Sequence, residues 1–222
     1  MSTIIVSYDG TANDDDALAL GKLLAPTGAR LALAYVRHAR EFDPEREQIA
    51  QHDAERRLEQ GAAWLADPDL AQHIVLSGST GEGLARLAAE EAATLIVFGS
   101  DYRTPPGKVE PGTSAQHLLE GGTIAVAVAA AGLRTGDEQA IQSIAVSPPD
   151  GDPAALQTAR ALADKLGAAI VEHDPPEADL IIAASQPGAA KGRIALGGAT
   201  RAQLNAARGA VIVLPRGTPA LI

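Results

Sequence analysis

Short aliphatic runs alternate with longer helical segments from Ile4 to Val128, and this alternation restricts the fold more than any other feature of the chain. The helical segments predict right-handed crossovers between parallel strands. The pattern therefore predicts an α/β, doubly wound unit with a parallel five-stranded sheet. The predicted strands are Ile4 to Tyr8, Leu31 to Val36, Ile74 to Leu76, Leu95 to Phe98 and Thr123 to Val128.

Parts of this pattern return later in the chain. Ile144-Ala145-Val146-Ser147 repeats Ile4-Ile5-Val6-Ser7 at an offset of 140 in the numbering. The run from Leu180 to Ser185 repeats the run from Leu95 to Ser100 at a smaller offset of 85. A repeat with an internal block missing explains both offsets, since the difference is close to the length of the charged helix, the third strand and the third helix.

The repeat predicts two units of unequal size. A complete domain is expected at residues 1–132 and a truncated one at residues 140–222. The small, polar segment from Ala131 to Gln139 is interpreted as the linker between them. The second sheet is expected to be a reduced version of the first.

Composition excludes several classes of function. The formal net charge of −10 argues against nucleic acid as the partner, because nucleic-acid binding depends on Lys and Arg contacts with phosphate. With no cysteine there are no disulfides, thiolate metal sites or Cys nucleophile. No apolar run reaches the roughly 18 residues of a membrane span, and no signal peptide precedes the first strand. We expect a cytoplasmic protein with no membrane partner.

The segment from Leu95 to Thr113 is the first candidate for a binding site. A buried strand ends at Gly99-Ser100, a loop rich in Gly and Pro follows, and Thr113 or Ser114 can cap the next helix. The backbone N–H groups and the dipole at a helix start favour an anion. An ordinary strand-to-helix connection is the alternative interpretation.

Other polar clusters point less clearly to chemistry. Asp14, Asp15 and Asp16 begin the first helix, where we expect a capping function and no metal site. His117 follows the candidate anion loop, but a surface position is expected for it. The sequence has no Gly-x-Ser-x-Gly, His-Glu-x-x-His or Walker motif, and no catalytic residue is predicted.

Over essentially its whole length the chain resembles the universal stress protein family in a tandem arrangement. Nucleotide-binding members have a glycine after the fourth strand, a second glycine three residues later, then nine residues, then Gly followed by Ser or Thr. Here Gly99 and Gly112-Thr113 match with the family spacing, and Tyr102 replaces the second glycine. The resemblance implies Rossmann-like units of the adenine nucleotide alpha hydrolase type.

The resemblance also implies a set of binding residues. Asp9, at the end of the first strand, would contact the ribose and adenine side, and the backbone near Val36 would contact the adenine. With Gly99, Gly112 and Thr113 these form the expected site for ATP, with Mg²⁺ possible, or for another adenine nucleotide. Tyr102 places a side chain where bare backbone would approach the phosphates. Three prolines in the loop remove N–H groups: Pro105, Pro106 and Pro111.

The second half departs further from the family pattern and is expected to have lost its site. Ala184, Pro187 and Gly198 replace the first glycine, the second glycine and the Ser or Thr, and proline stands where Asp9 would fall. In the family, the last strands of two domains often pair. We expect Thr123 to Val128 to pair with Ala210 to Leu214 within this chain, and a homodimer is also possible.

Three functions remain open at this stage. The first is a stress-response or regulatory module that binds an adenine nucleotide in its first domain with little or no catalysis. The second is a member that binds no nucleotide and acts through protein contacts, which Tyr102 and the loop prolines favour. The third is a slow ATP hydrolase or adenylyl-transferring enzyme, which would require a positioned nucleophile.

Overall fold

The computed structural model describes residues 2–136, 140–148, 152–171 and 177–222. The first half contains five strands and four helices that alternate as predicted. In chain order they are β1 Thr3–Ser7, α1 Ala12–Leu24, β2 Arg30–Arg37, α2 Pro44–Trp64, β3 Ala71–Leu76, α3 Thr80–Glu90, β4 Ala93–Phe98, α4 Thr113–Leu119 and β5 Ala125–Val128.

The second half is smaller. Its elements are β6 Ser143–Ser147, α5 Pro153–Leu166, β7 Ala169–Val171, β8 Leu180–Ala184, α6 Gly198–Ala206 and β9 Ala210–Leu214. The predicted linker forms a 3₁₀ turn at Leu133–Thr135, and its residues 137–139 lie outside the described residues.

All nine strands form one sheet with the order β3-β2-β1-β4-β5-β9-β8-β6-β7. Every neighbouring pair is parallel except β5 and β9, which are antiparallel and align Ala127 with Ile212. The predicted α/β class and the predicted pairing of the two last strands are therefore present. The pairing of β5 with β9 leaves neither aliphatic strand as an exposed edge.

Each face of the sheet carries one apolar layer that continues across both halves. Leu18 of α1, Leu58 of α2 and Leu162 of α5 belong to one buried cluster. Leu84 of α3 and Leu204 of α6 belong to the other. Burial of each such leucine stabilises the fold by about 1.5–3 kcal/mol. Because sheet and core both cross residue 132, the division into two domains stays a prediction.

The start of α3 corrects one detail of the sequence interpretation. The residues from Ser77 to Gly81 are typical of a turn and those from Gly83 of a helix, but the helix begins at Thr80 with Ser79 as its cap. Glycine disfavours helix in isolation. Here tertiary packing overrides that preference, because neither position has room for a side chain. A Cβ on Gly81 would lie 2.8 Å from His117 Cδ2, and one on Gly83 would lie 2.9 Å from Ser77 Cβ.

The loop after β4 and the loop after β8 have the same hydrogen bonds. Ser100 Oγ donates to Ala129 O at 2.7 Å and accepts from Glu110 N at 3.2 Å. Ser185, its counterpart in the repeat, makes the equivalent two bonds at 2.7 and 3.2 Å. The hydrogen bonds of the loop therefore recur at the offset found in the sequence.

A glycine with positive φ completes this correspondence. Gly107 has φ of 70° and Gly192 has φ of 74°, a region that strongly favours glycine. Each donates its N–H at 2.8 Å to a carbonyl in the segment that follows the last strand of its half, Ala131 O and Arg216 O.

Candidate nucleotide-binding site

A cleft of about 410 Å³ lies at the carboxyl ends of β1, β2 and β4. In the first half the strand order is 3-2-1-4-5, so the order changes direction between β1 and β4. Open α/β sheets bind ligands in the crevice at such a switch point. The topology alone therefore makes this cleft the candidate site.

All five residues predicted for the site line this cleft: Asp9, Val36, Gly99, Gly112 and Thr113. They come from three strand ends and the start of α4, so they are widely separated in the sequence. The fold thus brings the predicted residues together. Nucleotide binding by these residues stays a prediction.

The turn between β1 and α1 is held by two carboxylates. Gly10 has φ of 86°, and Asp9 Oδ1 accepts the Thr11 N–H at 3.1 Å. Asp14 Oδ2 accepts from Asp9 N and from Thr11 Oγ1, both at 2.9 Å. Asp14 and Thr11 form a capping box, so Asp14 has the capping function expected from the sequence.

Asp9 and Asp14 are close enough to influence each other's ionisation. Burial, and then the neighbouring Asp9 carboxyl, raise the pKa of Asp14 to about 8. Burial would also raise the pKa of Asp9, but hydrogen bonds from Asp14 and Thr11 hold it below its usual value. The cleft therefore has an ionised Asp9 beside a carboxyl that is largely protonated at neutral pH.

The other two acidic residues of the first turn contact different partners. Tyr8 Oη donates to Asp15 Oδ1 at 3.4 Å, and burial together with Asp15 raises the pKa of Tyr8 to about 12. Asp16 is 1% exposed and accepts from the backbone N–H of Gly132 and of Arg134, each at 2.9 Å. Arg134 Nη1 also lies 2.8 Å from Asp16 Oδ2. Within the described ranges no cluster of three His, Asp or Glu residues could hold a metal ion.

Gly99 and Gly112 line the cleft for different physical reasons. A Cβ on Gly99 would lie 1.9 Å from Asn13 O, so packing of β4 against the start of α1 already requires glycine there. A Cβ on Gly112 would meet no atom within 4 Å, and its φ of −68° suits any residue. Packing therefore explains Gly99 but not Gly112.

Tyr102, which replaces a family glycine, lies at the cleft with its side chain 72% exposed. The Arg103 guanidinium lies 4.8 Å from the centre of its ring. The neighbouring Asp101 also lines the cleft, and its Oδ1 accepts the Arg103 N–H at 3.0 Å. The part of the cleft beside the loop after β4, where a phosphate is expected, therefore contains a carboxylate and an aromatic ring.

The sequence interpretation missed Arg57. The charged residues of α2 were expected to form a solvated face, but Arg57 Nη1 donates to the backbone carbonyl of Asp9. Its Nε donates to Asp53 Oδ2 at 2.8 Å, and its guanidinium lies 5.7 Å from the ring centre of Tyr35. The four-residue spacing of Asp53 and Arg57 was the one signal in the sequence, and it is typical of any exposed helix.

His117 lies outside the cleft. Its side chain is exposed and packs against Gly81 of α3. It is therefore a surface histidine, as expected, and has no contact with the candidate ligand site.

A larger cavity of about 520 Å³ lies between the two halves and shares Asn13, Asp101 and Tyr102 with the cleft. The described part of its surroundings is interrupted at residues 137–139. We therefore assign it no ligand.

Comparison with known proteins agrees with the fold. The family model for the universal stress protein family matches residues 1–130. The chain belongs to the universal stress protein family. No curated protein matches the sequence. The family model does not reach the second half, and the tandem arrangement stays a prediction.

Solved structures resemble the chain over nearly its full length. A universal stress protein from Archaeoglobus fulgidus DSM 4304 has a TM-score of 0.70 and 14% identity, with 97% of this chain and 98% of that chain covered. A functionally unknown protein from Pseudomonas aeruginosa PAO1 has a TM-score of 0.63 and 12% identity, with 98% and 93% covered. At these identities the likeness concerns the fold alone.

Two further predictions concern the second half of the chain and a membrane span. Pro149 and Asp150-Gly151 lie outside the described residues, so the loss of the second site stays a prediction. Across the part of the chain that the structure describes, no helix combines the length and apolar character of a membrane span.

Proposed function

We propose that the first half binds an adenine nucleotide, ATP or a relative of it, with little or no turnover, as part of a stress-response or regulatory module. One observation carries the proposal. The five residues implied by the family resemblance converge on a single cleft at the switch point of the sheet.

The geometry suits the parts of a nucleotide in turn. Val36 at the end of β2 is 8% exposed and offers an apolar wall and backbone to the adenine ring. The ionised Asp9 carboxylate offers an acceptor for ribose hydroxyls. Gly112 and Thr113 lie where α4 begins, and the free N–H groups of a first turn can bind phosphate oxygens.

Gly112 is compatible with the proposal. Neither packing nor backbone conformation requires glycine there. Bare backbone at this position would let a ligand approach closely. A side chain at this position would occupy space in the cleft.

The described residues do not favour a magnesium site. Asp9 Oδ1 and Asp14 Oδ2 are engaged by the turn after β1, which leaves Asp101 among the carboxylates that line the cleft. Mg²⁺ bound with a nucleotide usually has one or two carboxylates and the phosphates. The proposal therefore does not require the ion.

Little turnover is expected because the described cleft residues include no nucleophile paired with a base. His38 lines the cleft, but its Nδ1 lies 3.3 Å from the backbone carbonyl of Ser77. Phosphate release from ATP should stay at the level of buffer alone.

Calorimetric titration of the nucleotide-free protein tests the proposal. We expect saturable binding of at least one ligand among ATP, ADP, AMP and adenosine with micromolar Kd, about −8 kcal/mol. Asp9→Ala and Gly112→Val should abolish it. Asp164→Ala and Gly188→Val are matched controls, since Asp164 is an exposed acid on α5 and a Cβ on Gly188 meets nothing within 4 Å. Absence of heat with every ligand would contradict the proposal.

A second candidate function is recognition of another protein without nucleotide. The exposure of Phe42 at 106% and of Ile49 at 68% favours it, because large apolar side chains on a surface often mark contact sites. Phe42→Ser with Ile49→Ser would then disrupt the partner complex and leave nucleotide titrations unchanged.

A further inference from the structure

The cleft differs in charge from what a long phosphate chain requires. Asp9 and Asp101 contribute two carboxylates to its lining, beside the Asp14 carboxyl that is largely protonated at neutral pH. Among the described lining residues, Arg57 is the one guanidinium, and it is already paired with Asp53 at 2.8 Å. A polyphosphate would enter a surface with the same sign of charge.

Several backbone positions of the loop after β4 offer no N–H group to an anion. Five N–H groups donate within the protein, and the three prolines have none. The five donors are Asp101 to Glu110 O, Arg103 to Asp101 Oδ1, Thr104 to Asp101 O, Gly107 to Ala131 O and Glu110 to Ser100 Oγ. Phosphate-binding loops instead direct several unpaired N–H groups at the ligand.

The cations of the same loop do not compensate. Arg103 is 75% exposed, lies 3.7 Å from Asp101 Oδ1 and stacks on the ring of Tyr102. Neither Arg103 nor Lys108 is among the residues that line the cleft. The described lining of the cleft therefore offers no Lys side chain and no unpaired Arg side chain to a phosphate chain.

We propose that the cleft selects adenine ligands with at most one phosphate, such as adenosine or a nucleoside monophosphate, and that Asp101 and Tyr102 determine this selectivity. The inference rests on the proposed function. Asp101 repels the charge of a second and third phosphate, and the Tyr102 side chain occupies the space where bare glycine backbone would accept them.

A binding series at constant ionic strength tests this selectivity. Kd is measured for adenosine, AMP, ADP and ATP, each with and without Mg²⁺, on the full chain. We expect adenosine or AMP to bind at least about tenfold more tightly than ATP, with no gain for ATP from Mg²⁺. ATP binding as tightly as AMP, or only with Mg²⁺, would overturn the inference while the proposed function stood.

Variants separate charge from shape. Asp101→Asn keeps the acceptor for the Arg103 N–H and removes the charge, so it should lower the Kd for ATP by about tenfold and leave the Kd for adenosine unchanged. The double variant, Asp101→Asn with Tyr102→Gly, should lower the Kd for ATP further. Asp164→Asn, a matched exposed acid on α5, should change neither ligand.

The remaining outcomes are also decisive. Unchanged ATP affinity in Asp101→Asn and in the double variant would overturn the assigned role of both residues. Weaker ATP binding in Asp101→Asn would overturn it too, because Asp101 would then support the phosphates. No binding of any adenine ligand to the wild-type chain would overturn this inference together with the proposed function.

Discussion

The loop after β4 and the loop after β8 share one hydrogen-bonded framework but differ at the positions that would contact a ligand. Ser100 and Ser185 make the same two bonds, at the same distances. At the same offset, Gly99 corresponds to Ala184, and Thr113 corresponds to Gly198. The shape of the loop is therefore a property of the fold, and the proposed ligand chemistry depends on residues at which the two halves differ.

The two loops differ most clearly at Gly99 and Ala184, the residues that directly precede the shared serines. A Cβ on Gly99 would collide with Asn13 O, whereas Ala184 is accommodated with 2% exposure. The helix after β1 begins at Ala12, and the helix after β6 begins later in its unit, at Pro153. The start of α1 thus lies close against the end of β4.

The largest effect is expected from the buried ion pair that anchors the segment after β5. Asp16→Ala leaves Arg134 and two N–H groups without their acceptor, so the free energy of unfolding should fall by about 3 kcal/mol. In the second half Asp152 accepts from Gly217 N at an exposed position. Asp152→Ala should cost about 1 kcal/mol, the value of a helix cap.

Urea unfolding of the two variants measures this difference. Equal losses would show that burial of Asp16 adds nothing, and the contrast between the halves would then fail at this position.

The next effect concerns Gly99. Gly99→Ala forces a methyl group against Asn13 O and should cost about 2 kcal/mol, by analogy with overpacked cores. The reverse substitution at the corresponding position, Ala184→Gly, should cost about 1 kcal/mol, through backbone entropy and lost packing. Thermal and urea unfolding of both variants gives the comparison, and a neutral Gly99→Ala would remove packing as the reason for glycine there.

A smaller and symmetrical effect is expected at the shared serines. Ser100→Ala and Ser185→Ala each leave a backbone N–H without its acceptor, so each should lower the free energy of unfolding by about 1–2 kcal/mol. Similar values in the two halves would support a common framework. A loss confined to one half would argue that only one loop depends on its serine.

The free energy of unfolding is also expected to change with pH. Because the pKa of Asp14 is raised in the folded state, the folded chain keeps a proton that the unfolded chain releases between about pH 4 and pH 8. The free energy of unfolding should therefore fall as pH rises through this window. The lowered pKa of Asp9 acts in another range, since its contribution is lost only as pH falls below about 4.

The side chain introduced by Asp14→Asn cannot ionise, so the free energy of unfolding should fall less steeply as pH rises. Urea unfolding at about pH 5 and about pH 9 makes the comparison, with Asp164→Asn as the exposed control. An equally steep decline in Asp14→Asn would assign the pH dependence to other groups.

Much of the fold could be predicted because its signals are local. Aliphatic runs such as Leu95 to Phe98 marked strands, and the family resemblance, together with the aliphatic character of β5 and β9, implied their pairing. These signals are missing where a strand is exposed, because polar residues then interrupt the apolar run. Only Ile74 to Leu76 was predicted for β3, which in fact begins at Ala71, because an edge strand tolerates the polar Gln72 and His73.

The site could be predicted only in part, for a related reason. Asp9, Gly99 and Gly112 follow strand ends or begin a helix, and parallel sheets bring such positions to one edge. Arg57 comes from the middle of a charged helix, where nothing in the sequence distinguishes a residue over the cleft from a solvated one. The partner of Asp16 was equally hidden, since Arg134 lies far away in the sequence, in the predicted linker.

The most direct test of the account is the stoichiometry of adenine-nucleotide binding in two matched glycine variants. Gly112→Val and Gly197→Val alter corresponding helix caps of the two halves. The account predicts one AMP per wild-type chain, loss of binding in Gly112→Val and unchanged binding in Gly197→Val, with both variants folded by circular dichroism. Binding that survives Gly112→Val, or is lost in Gly197→Val, would contradict a ligand site built in the first half alone.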